Sequence, residues 1–260
     1  MIRAMDKEER QRRIIWAVDS GSKTVSQLQE LTGASAITIR RDLTELEEAG
    51  ALTRFHGGAR PAVRRGARYP LEVRRKEDPA GKRAIAAEAA RLVEPGSCVL
   101  IDSGTTPTAV ARNLAGMDIT ALAMSLYAGA ALAKTPGSDV LIPGGTVNSD
   151  DLAVYGAEAV DTVMSMRFDL AIVGVCACTP SVGLMSPNLT EATIKRAYFK
   201  AARRVIVVTT PEKFTRMSAH RVATFDQVDT VITTTDLSPD IAQDVVDFGA
   251  NLTMVPVEDS

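Results

Sequence analysis

The chain has few cysteines, few histidines and no long apolar run. Its 260 residues include three cysteines and two histidines. Three cysteines cannot form a complete disulfide framework, and each lies in an apolar stretch, so we expect a reducing, cytoplasmic environment. The longest nearly uncharged stretch, residues 121–133, is shorter than the about 20 residues that span a bilayer. Residues 1–13 are dense in charge, which argues against a signal peptide. Because no apolar stretch is long enough to span a bilayer, we also expect no membrane partner.

The composition is that of a folded globular chain with an uneven distribution of charge. Apolar residues make up 45% and charged residues 24%, which argues against a disordered or low-complexity chain. The net charge is −2. Up to Arg83 the chain has 18 Lys and Arg against 12 Asp and Glu, and after it 12 against 20. This split favours a basic segment that binds a polyanion, joined to an acidic body; the alternative is chance clustering.

The first 60 residues have the pattern of three short helices followed by a hairpin. The predicted helices cover residues 6–19, 25–31 and 36–49, and the hairpin covers residues 52–60 with its turn at Gly57-Gly58. Predicted N-caps precede the second and third helices at Thr24 and Ser35, and predicted glycine caps end all three helices at Gly21, Gly33 and Gly50.

The second and third predicted helices form a helix-turn-helix pattern, in which the third helix would enter the major groove of DNA. Since Ile39, Leu43 and Leu46 share the inward face, the polar side chains face outward. Arginine can contact guanine or phosphate, and threonine can contact phosphate or a thymine methyl group. The candidate DNA contacts, including a basic hairpin wing, are Ser35, Ala36, Thr38, Arg40, Arg41, Arg54, His56 and Arg60. The alternative is a small helical cap with a solvated arginine pair.

The rest of the chain predicts an α/β domain after an arginine-rich linker. We expect a DNA-binding domain at residues 1–60, a linker at 61–81 and an α/β domain at 82–260. Short β-branched strands alternate with helices, which is typical of a largely parallel sheet covered on both faces. The predicted strands are 97–101, 118–123, 139–142, 169–174, 205–208, 230–233 and 252–255. The predicted helices are 82–93, 107–114, 126–133, 157–164, 190–202 and 239–248.

The loop after the first strand of this domain reads Asp102-Ser103-Gly104-Thr105-Thr106. We expect a helix to open at Pro107, where the missing N–H costs nothing. The free N–H groups of the loop and the helix dipole can hold a phosphate or a carboxylate. The alternative is an ordinary strand-to-helix turn with a threonine cap.

Two motifs carry a family resemblance. Residues 35–43 read Ser-Ala-Ile-Thr-Ile-Arg-Arg-Asp-Leu, and residues 54–59 read Arg-Phe-His-Gly-Gly-Ala. The chain resembles the DeoR family of bacterial transcriptional regulators, and further matches at Lys82-Arg83, Pro143-Gly144-Gly145, Lys195-Arg196 and Lys213-Phe214 extend the likeness over about residues 6–255. The resemblance implies a winged helix-turn-helix that binds double-stranded operator DNA. It also implies an effector domain, similar to sugar-phosphate isomerases, that senses a phosphorylated sugar-like metabolite without catalysis or cofactor.

The resemblance also implies a set of effector-binding residues. The phosphate end would be held by Asp102, Ser103, Gly104, Thr105 and Thr106. Gly144, Gly145 and Lys213 would line the same cleft, with Glu191 near its far end. The sequence departs from the family pattern at Met124, Cys176-Ala177, Thr210, Thr234 and the loop 180–187. We therefore expect a less polar far end. The effector would then be a phosphorylated compound with fewer hydroxyl groups or a different small acid, unless Ser125, Thr210 or Thr234 supplies the missing polar contacts.

Two classes of function remain. The first is a regulator, most simply a repressor of a carbohydrate-metabolism operon. The second is a sugar-phosphate isomerase or transferase on the C-terminal sheet, which would need an acid/base set. The departures leave mainly Asp102, Glu191 and Lys213 for catalysis, so we expect no enzyme. Cys176 and Cys178 lack the spacing of a metal site, so no metal is expected either. Because one winged helix reads only a half-site, we expect a homo-oligomer, a dimer or a tetramer.

Overall fold

The computed structural model describes residues 5–19, 22–49, 51–61 and 70–257. The chain divides into two compact units, Met1–Glu77 and Asp78–Ser260. The predicted caps at Gly21 and Gly50 and one part of the predicted linker, residues 62–69, lie outside the described residues. Within the described part of the chain, no helix is long and apolar enough to cross a bilayer.

The first unit contains the three predicted helices and the predicted hairpin. Its helices are α1 (Lys7–Asp19), α2 (Val25–Thr32), α3 (Ala36–Glu48) and α4 (Leu71–Lys76), and its strands are β1 (Lys23–Thr24), β2 (Leu52–Phe55) and β3 (Gly58–Pro61). The N-caps are confirmed: the Thr24 side chain accepts from the Gln27 N–H, and the Ser35 side chain accepts from the Thr38 N–H. Gly33 ends α2 in the left-handed conformation.

The core of the first unit joins the three helices to the hairpin. Apolar side chains of α1, α2 and α3 pack with Ala51, Leu52 and Ala59. The strands are antiparallel in the order β1-β3-β2, so a two-residue strand before α2 holds the hairpin against the helices. The hairpin turn lies at His56-Gly57, one residue earlier than predicted, because Gly58 already pairs with Phe55.

The predicted linker has more structure than its composition indicates. Helix α4 lies within it, and Val73 is buried in the core of the first unit. The next helix begins at Pro79, three residues before the predicted start. There the Asp78 side chain accepts from the Gly81 N–H, and proline occupies the first helical turn, where it has no N–H to leave unpaired.

The second unit is a parallel sheet covered by helices. Its helices are α5 (Pro79–Arg91), α6 (Thr105–Leu114), α7 (Leu126–Leu132), α8 (Ala157–Ser165), α9 (Leu189–Ala201) and α10 (Pro239–Asp247). Its strands are β4 (Cys98–Ile101), β5 (Thr120–Ala123), β6 (Asp139–Leu141), β7 (Thr146–Val147), β8 (Val154–Tyr155), β9 (Leu170–Gly174), β10 (Ala177–Thr179), β11 (Gly183–Ser186), β12 (Val205–Val208), β13 (His220–Ala223), β14 (Thr230–Thr234) and β15 (Asn251–Val255). The predicted fold class is confirmed.

The strand order brings two chain segments together at one point of the sheet. Seven parallel strands lie in the order β15-β14-β12-β9-β4-β5-β6. The chain runs from β4 outward in one direction and from β9 outward in the other, so the order reverses between β4 and β9. Ligands of open α/β sheets bind at the carboxyl ends of the strands beside such a reversal. The residues that follow β4 and β9 are therefore candidates for a ligand site.

Two small antiparallel sheets were not predicted. Strands β10, β11 and β13 form one, and the hairpin β7–β8 forms the other. Both lie in segments that follow the carboxyl ends of strands of the large sheet, since β10 comes after β9 and β13 comes after β12. Strand β8 lies beside the carboxyl end of β5, because the Val154 N–H donates to the carbonyl of Met124, the residue after β5.

Candidate functional sites

Helix α3 presents its two central arginines to solvent. Arg40 and Arg41 are exposed, whereas Ile39 and Leu43 are buried in the core. The only ion pair that the structure gives either arginine among its described residues is a long one, with Arg41 Nε 3.5 Å from Glu45 Oε1. Both guanidinium groups are therefore available to a ligand on this face.

The start of α3 holds its hydroxyl groups in an internal arrangement. Ser35 Oγ lies 2.9 Å from Thr38 Oγ1 while it also accepts from the Thr38 N–H. Ser35 is exposed, and Ala36 and Thr38 are half-buried. The contacts expected of Ser35 and Thr38 with DNA stay a prediction, and the geometry gives the serine a clear structural role as the helix cap.

The hairpin carries the three predicted wing residues on its surface. Arg54, His56 and Arg60 are all exposed. Arg54 is attached to α3, because its Nη1 donates to Thr44 Oγ1 at 2.6 Å and its backbone N–H donates to Glu47 at 2.8 Å. The Arg54 side chain thus joins the hairpin to α3, whereas His56 and Arg60 lie exposed on the hairpin, and the DNA contacts expected of all three stay predictions.

A buried ion pair that sequence reasoning missed fixes α3 against α1. Asp42 is 1% exposed and accepts from Arg10 Nε at 2.5 Å and from Arg10 Nη2 at 3.1 Å. The hydrogen bond to Asp42, together with its charge, raises the pKa of Arg10 and outweighs the opposing effect of burial. Because a two-point guanidinium–carboxylate pair constrains orientation, it sets the direction in which Arg40 and Arg41 project.

At the reversal point of the second unit, Asp102 is enclosed by donors. Its side chain is fully buried and accepts from the Ser103 N–H at 2.8 Å, from the Gly174 N–H at 2.9 Å and from Lys195 Nζ at 2.7 Å. Ser103 follows β4 and Gly174 ends β9, so this carboxyl group joins the two strands. Asp102 thus fixes the start of the 102–106 loop against the end of β9.

Lys195 of α9 is the central cation of this site and was not among the predicted site residues. Its Nζ is 3.4 Å from Glu191 Oε1, so Asp102, Glu191 and Lys195 form a buried cluster, which we call the switch-point triad. Burial lowers the pKa of Lys195, but the attraction of Asp102 and Glu191 outweighs it and raises the pKa overall. Burial raises the pKa of Asp102, against the opposing effect of Lys195. The lysine is therefore a firmly held cation.

The 102–106 loop opens a helix earlier than predicted. Helix α6 begins at Thr105 instead of Pro107, with Gly104 as the N-cap at a φ of 118°, a conformation that favours glycine. Pro107 lies in the first helical turn, where a backbone N–H has no partner within the helix, so its place is still permitted. Gly104 and Thr105 are partly exposed at the helix start, whereas Ser103 and Thr106 are buried.

The structure places the other predicted effector residues at the same edge of the sheet. Gly144 and Gly145 precede the β7–β8 hairpin and are exposed; a Cβ added at Gly145 would lie 2.3 Å from the Tyr155 carbonyl oxygen. Lys213 lies in the turn after β12 and is buried, with its Nζ 3.5 Å from Glu212. Their roles in binding stay predictions.

The strand-end departures from the family pattern have an unexpected arrangement. Met124 packs in the core, and Ser125 caps α7, so neither is a free lining group. Three of the other departures donate hydrogen bonds to nearby carboxylates, and we call these the strand-end pairs. They are Cys176 with Glu191 at 3.5 Å, Thr210 with Glu212 at 2.6 Å, and Thr234 with Asp236. Each of these three strand ends thus has a hydrogen-bonded carboxylate, and the expectation of a less polar far end stays a prediction.

Comparison with known proteins identifies both units. Residues 10–64 match the DeoR-like helix-turn-helix domain, and residues 77–235 match the DeoR C terminal sensor domain. The chain belongs to the DeoR family. It is a DNA-binding transcriptional regulator with a sensor domain, as the sequence resemblance implied.

Curated DeoR-family relatives match nearly the whole chain. The HTH-type transcriptional regulator GlpR of Haloferax volcanii is 33% identical over 94% of this chain and 96% of its own. The glycerol-3-phosphate regulon repressor of Haemophilus influenzae is 31% identical over 88% of this chain and 90% of its own. The HTH-type transcriptional repressor CsqR of Escherichia coli is 31% identical over 85% of this chain and 84% of its own.

Enzyme structures are much more distant. Ribose 5-phosphate isomerase A of Methanocaldococcus jannaschii is 17% identical, with a TM-score of 0.38 over 52% of this chain and 54% of that chain. The family match assigns the second unit to sensing, so the expectation that this DeoR-family chain is a regulator and not an enzyme is confirmed.

Proposed function

We propose that this regulator represses an operon of carbohydrate metabolism and is released from its operator by a phosphorylated metabolite. The proposal is carried by one observation: a half-exposed helix start at Gly104 and Thr105 follows Asp102 of the switch-point triad, at the reversal point of the sheet. The relatives named as repressors, including that of the glycerol-3-phosphate regulon, support the class of operon and effector.

The loop is suited to an anion for two reasons. The first N–H groups of α6 have no partner within the helix, and the helix dipole adds partial positive charge there. Asp102, although acidic, does not oppose an anion directly, because it is fully buried and neutralised by Lys195. We assign Ser103, Gly104, Thr105 and Thr106 to the phosphate. Gly144, Gly145, Glu191 and Lys213 complete the site, with Asp102 as the group that shapes the loop.

On the DNA side, α3 lies in the major groove and the wing lies along the backbone. Arg40 and Arg41 make the principal contacts, with Ser35, Ala36 and Thr38 at the helix start and Arg54, His56 and Arg60 on the wing. A single such unit reads one half-site, so the protein works as a cytoplasmic homo-oligomer, a dimer or a tetramer. The first unit, Met1–Glu77, binds DNA, and the second unit, Asp78–Ser260, senses the effector and associates.

Two variants test the DNA side on an operator selected from random duplexes with the full chain. Arg40→Ala and Arg41→Ala should each weaken binding by about 1–3 kcal/mol if a base contact is lost. If only a phosphate contact is lost, the salt slope should fall by roughly one unit. Arg91→Ala, an exposed arginine of α5, is the matched control. Parent-like binding by both α3 variants would refute the assignment of the recognition helix.

A ligand panel tests the sensor side. Calorimetry with sugar phosphates, simpler phosphorylated acids and inorganic phosphate should find a compound that binds and releases the operator. Thr105→Glu adds a negative charge at the loop and should abolish that binding, whereas Thr135→Glu, at an exposed position outside the loop, should not. Normal binding by Thr105→Glu would move the anion site elsewhere.

A further inference from the structure

The recognition helix carries an apolar side chain that the fold does not use. Ile37, in the first turn of α3, is 79% exposed, the highest value among the large apolar side chains in the described part of the chain. Its neighbour Ile39 is fully buried in the core. Ile37 therefore contributes little to packing, and water covers most of an aliphatic side chain at this position.

Helix stability does not explain this isoleucine either. In an exposed helical position, β-branched residues are less favourable than alanine, because the helix restricts their χ1 rotation. Ser35 already caps the helix start through its hydroxyl group. Neither the core nor the helix itself calls for a branched apolar residue here, so its use lies in contact with another molecule.

The surroundings of Ile37 indicate what that molecule is. Residues three and four positions apart share a helix face, so Ile37 shares one with Arg40 and Arg41, and both arginines are exposed. An apolar group flanked by two cations fits a surface that is anionic overall but carries an apolar point. In the major groove of DNA, that apolar point is the 5-methyl group of thymine.

We propose that Ile37 is a specificity-determining residue that reads a thymine 5-methyl group in each operator half-site. The inference rests on the proposed position of α3 in the major groove. The N-terminal residues of a recognition helix are those that reach base edges, and Ile37 lies in that turn. Arg40 and Arg41 supply the polar contacts from the next turn, so the three side chains read the half-site together.

The test removes one methyl group at a time. In an operator selected with the full chain, each thymine of a half-site is replaced by deoxyuridine, which keeps the base pair and loses only the methyl group. For the parent protein, one replacement should raise Kd about fourfold, the value for a buried methyl-sized group. In Ile37→Ala the same replacement should have no effect, and binding to the thymine operator should equal that of the parent to the deoxyuridine operator.

Two further variants keep the test interpretable. Ile37→Val retains most of the side chain and should keep most of the methyl effect. Leu31→Ala removes an apolar side chain of similar size from α2, where Leu31 is 38% exposed, and should leave the methyl effect intact. Because Ile37 is exposed, Ile37→Ala should fold normally, which circular dichroism checks.

The possible failures are distinct. If the parent selects no operator, or if Arg40→Ala and Arg41→Ala both bind it normally, the proposed DNA contacts of α3 themselves fail. If the parent binds and Arg40→Ala does not, but Ile37→Ala keeps the same loss on deoxyuridine replacement, only the role of Ile37 is refuted. A change in oligomer size in Ile37→Ala, with methyl sensitivity unchanged, would assign the side chain to a contact between copies and would also overturn the inference.

Discussion

Removal of Lys195, the buried lysine of the switch-point triad, tests how strongly this cluster stabilises the second unit. Lys195 Nζ lies 2.7 Å from Asp102, and the two side chains are 5% and 0% exposed. Lys195→Met keeps the apolar stem but leaves the Asp102 and Glu191 carboxyl groups buried together without their cation. Loss of one partner from a buried pair costs about 3–5 kcal/mol. In a unit of this size, that lowers Tm by about 6–20 °C.

The pH dependence of this loss has a definite sign. Without Lys195, burial raises the folded pKa of Asp102 further, with no attraction to oppose it. A carboxyl group with a raised folded pKa favours the folded state only at low pH, and this support is lost as pH rises. The difference in Tm between parent and variant should therefore shrink as pH falls toward about 4 and widen toward neutral pH. In the parent, the contribution of Lys195 to the free energy of unfolding should be complete below its ordinary pKa of 10.5 and should decline as pH rises above that value.

Calorimetry of the full chain at several pH values measures both effects. The fluorescence of Trp16, the single tryptophan of the chain, follows the first unit and serves as an internal reference, since Lys195→Met should not alter its transition. Lys200→Met is the matched control, because Lys200 is an exposed lysine on the same helix and its loss should stay within about 0.5 kcal/mol. A Tm of Lys195→Met equal to that of Lys200→Met, or a loss of Tm that grows as pH falls, would refute this role of Lys195.

Two further predictions concern the separate units. Asp42→Asn weakens the two-point pair with Arg10 and should destabilise the first unit by about 1.5–3 kcal/mol, the value of a hydrogen bond to a charged group; denaturation followed by Trp16 fluorescence checks it, and an unchanged midpoint would contradict it. The fragment Asp78–Ser260, which keeps the Asp78 cap of α5, should fold, associate and bind no operator DNA. Light scattering that found a monomer would move the association surface to the first unit.

Much of the α/β sheet was predictable because its strands are buried on both faces. Such strands are continuous apolar runs, and the observed bounds of β9, β12 and β14 differ from the predicted ones by one residue at most. Strands β10, β11 and β13 lack this signal. They are three or four residues long, and β13 pairs with β11 across α9 and β12, so their pairing depends on the completed sheet. Local pattern alone does not contain that information.

The charged groups that hold the two sites together were the least predictable part. Glu191 and Lys195 are four residues apart, which in sequence looks like an exposed ion pair on a helix surface. Only the position of α9 over the reversal point makes them buried partners of Asp102, which is 93 residues from Lys195 along the chain. Arg10 and Asp42 are likewise 32 residues apart. The helix caps at Thr24 and Ser35, by contrast, depend on neighbours three residues away and were predicted correctly.

The strand-end pairs change what the departures from the family pattern mean for the effector. In the sequence alone, the replacement of the family's acidic residues by Cys176, Thr210 and Thr234 removes negative charge from the edge of the sheet. In the structure each replacement is a donor to a carboxylate elsewhere at the same edge, and for Thr210 that acceptor is Glu212, two residues along the chain. A hydrogen-bonded carboxylate has fewer orientations to lose when a ligand arrives. The alternative in which neighbouring residues supply the missing polar contacts therefore has specific acceptors to test, and calorimetry that compares sugar phosphates with phosphorylated acids carrying fewer hydroxyl groups distinguishes the two kinds of effector.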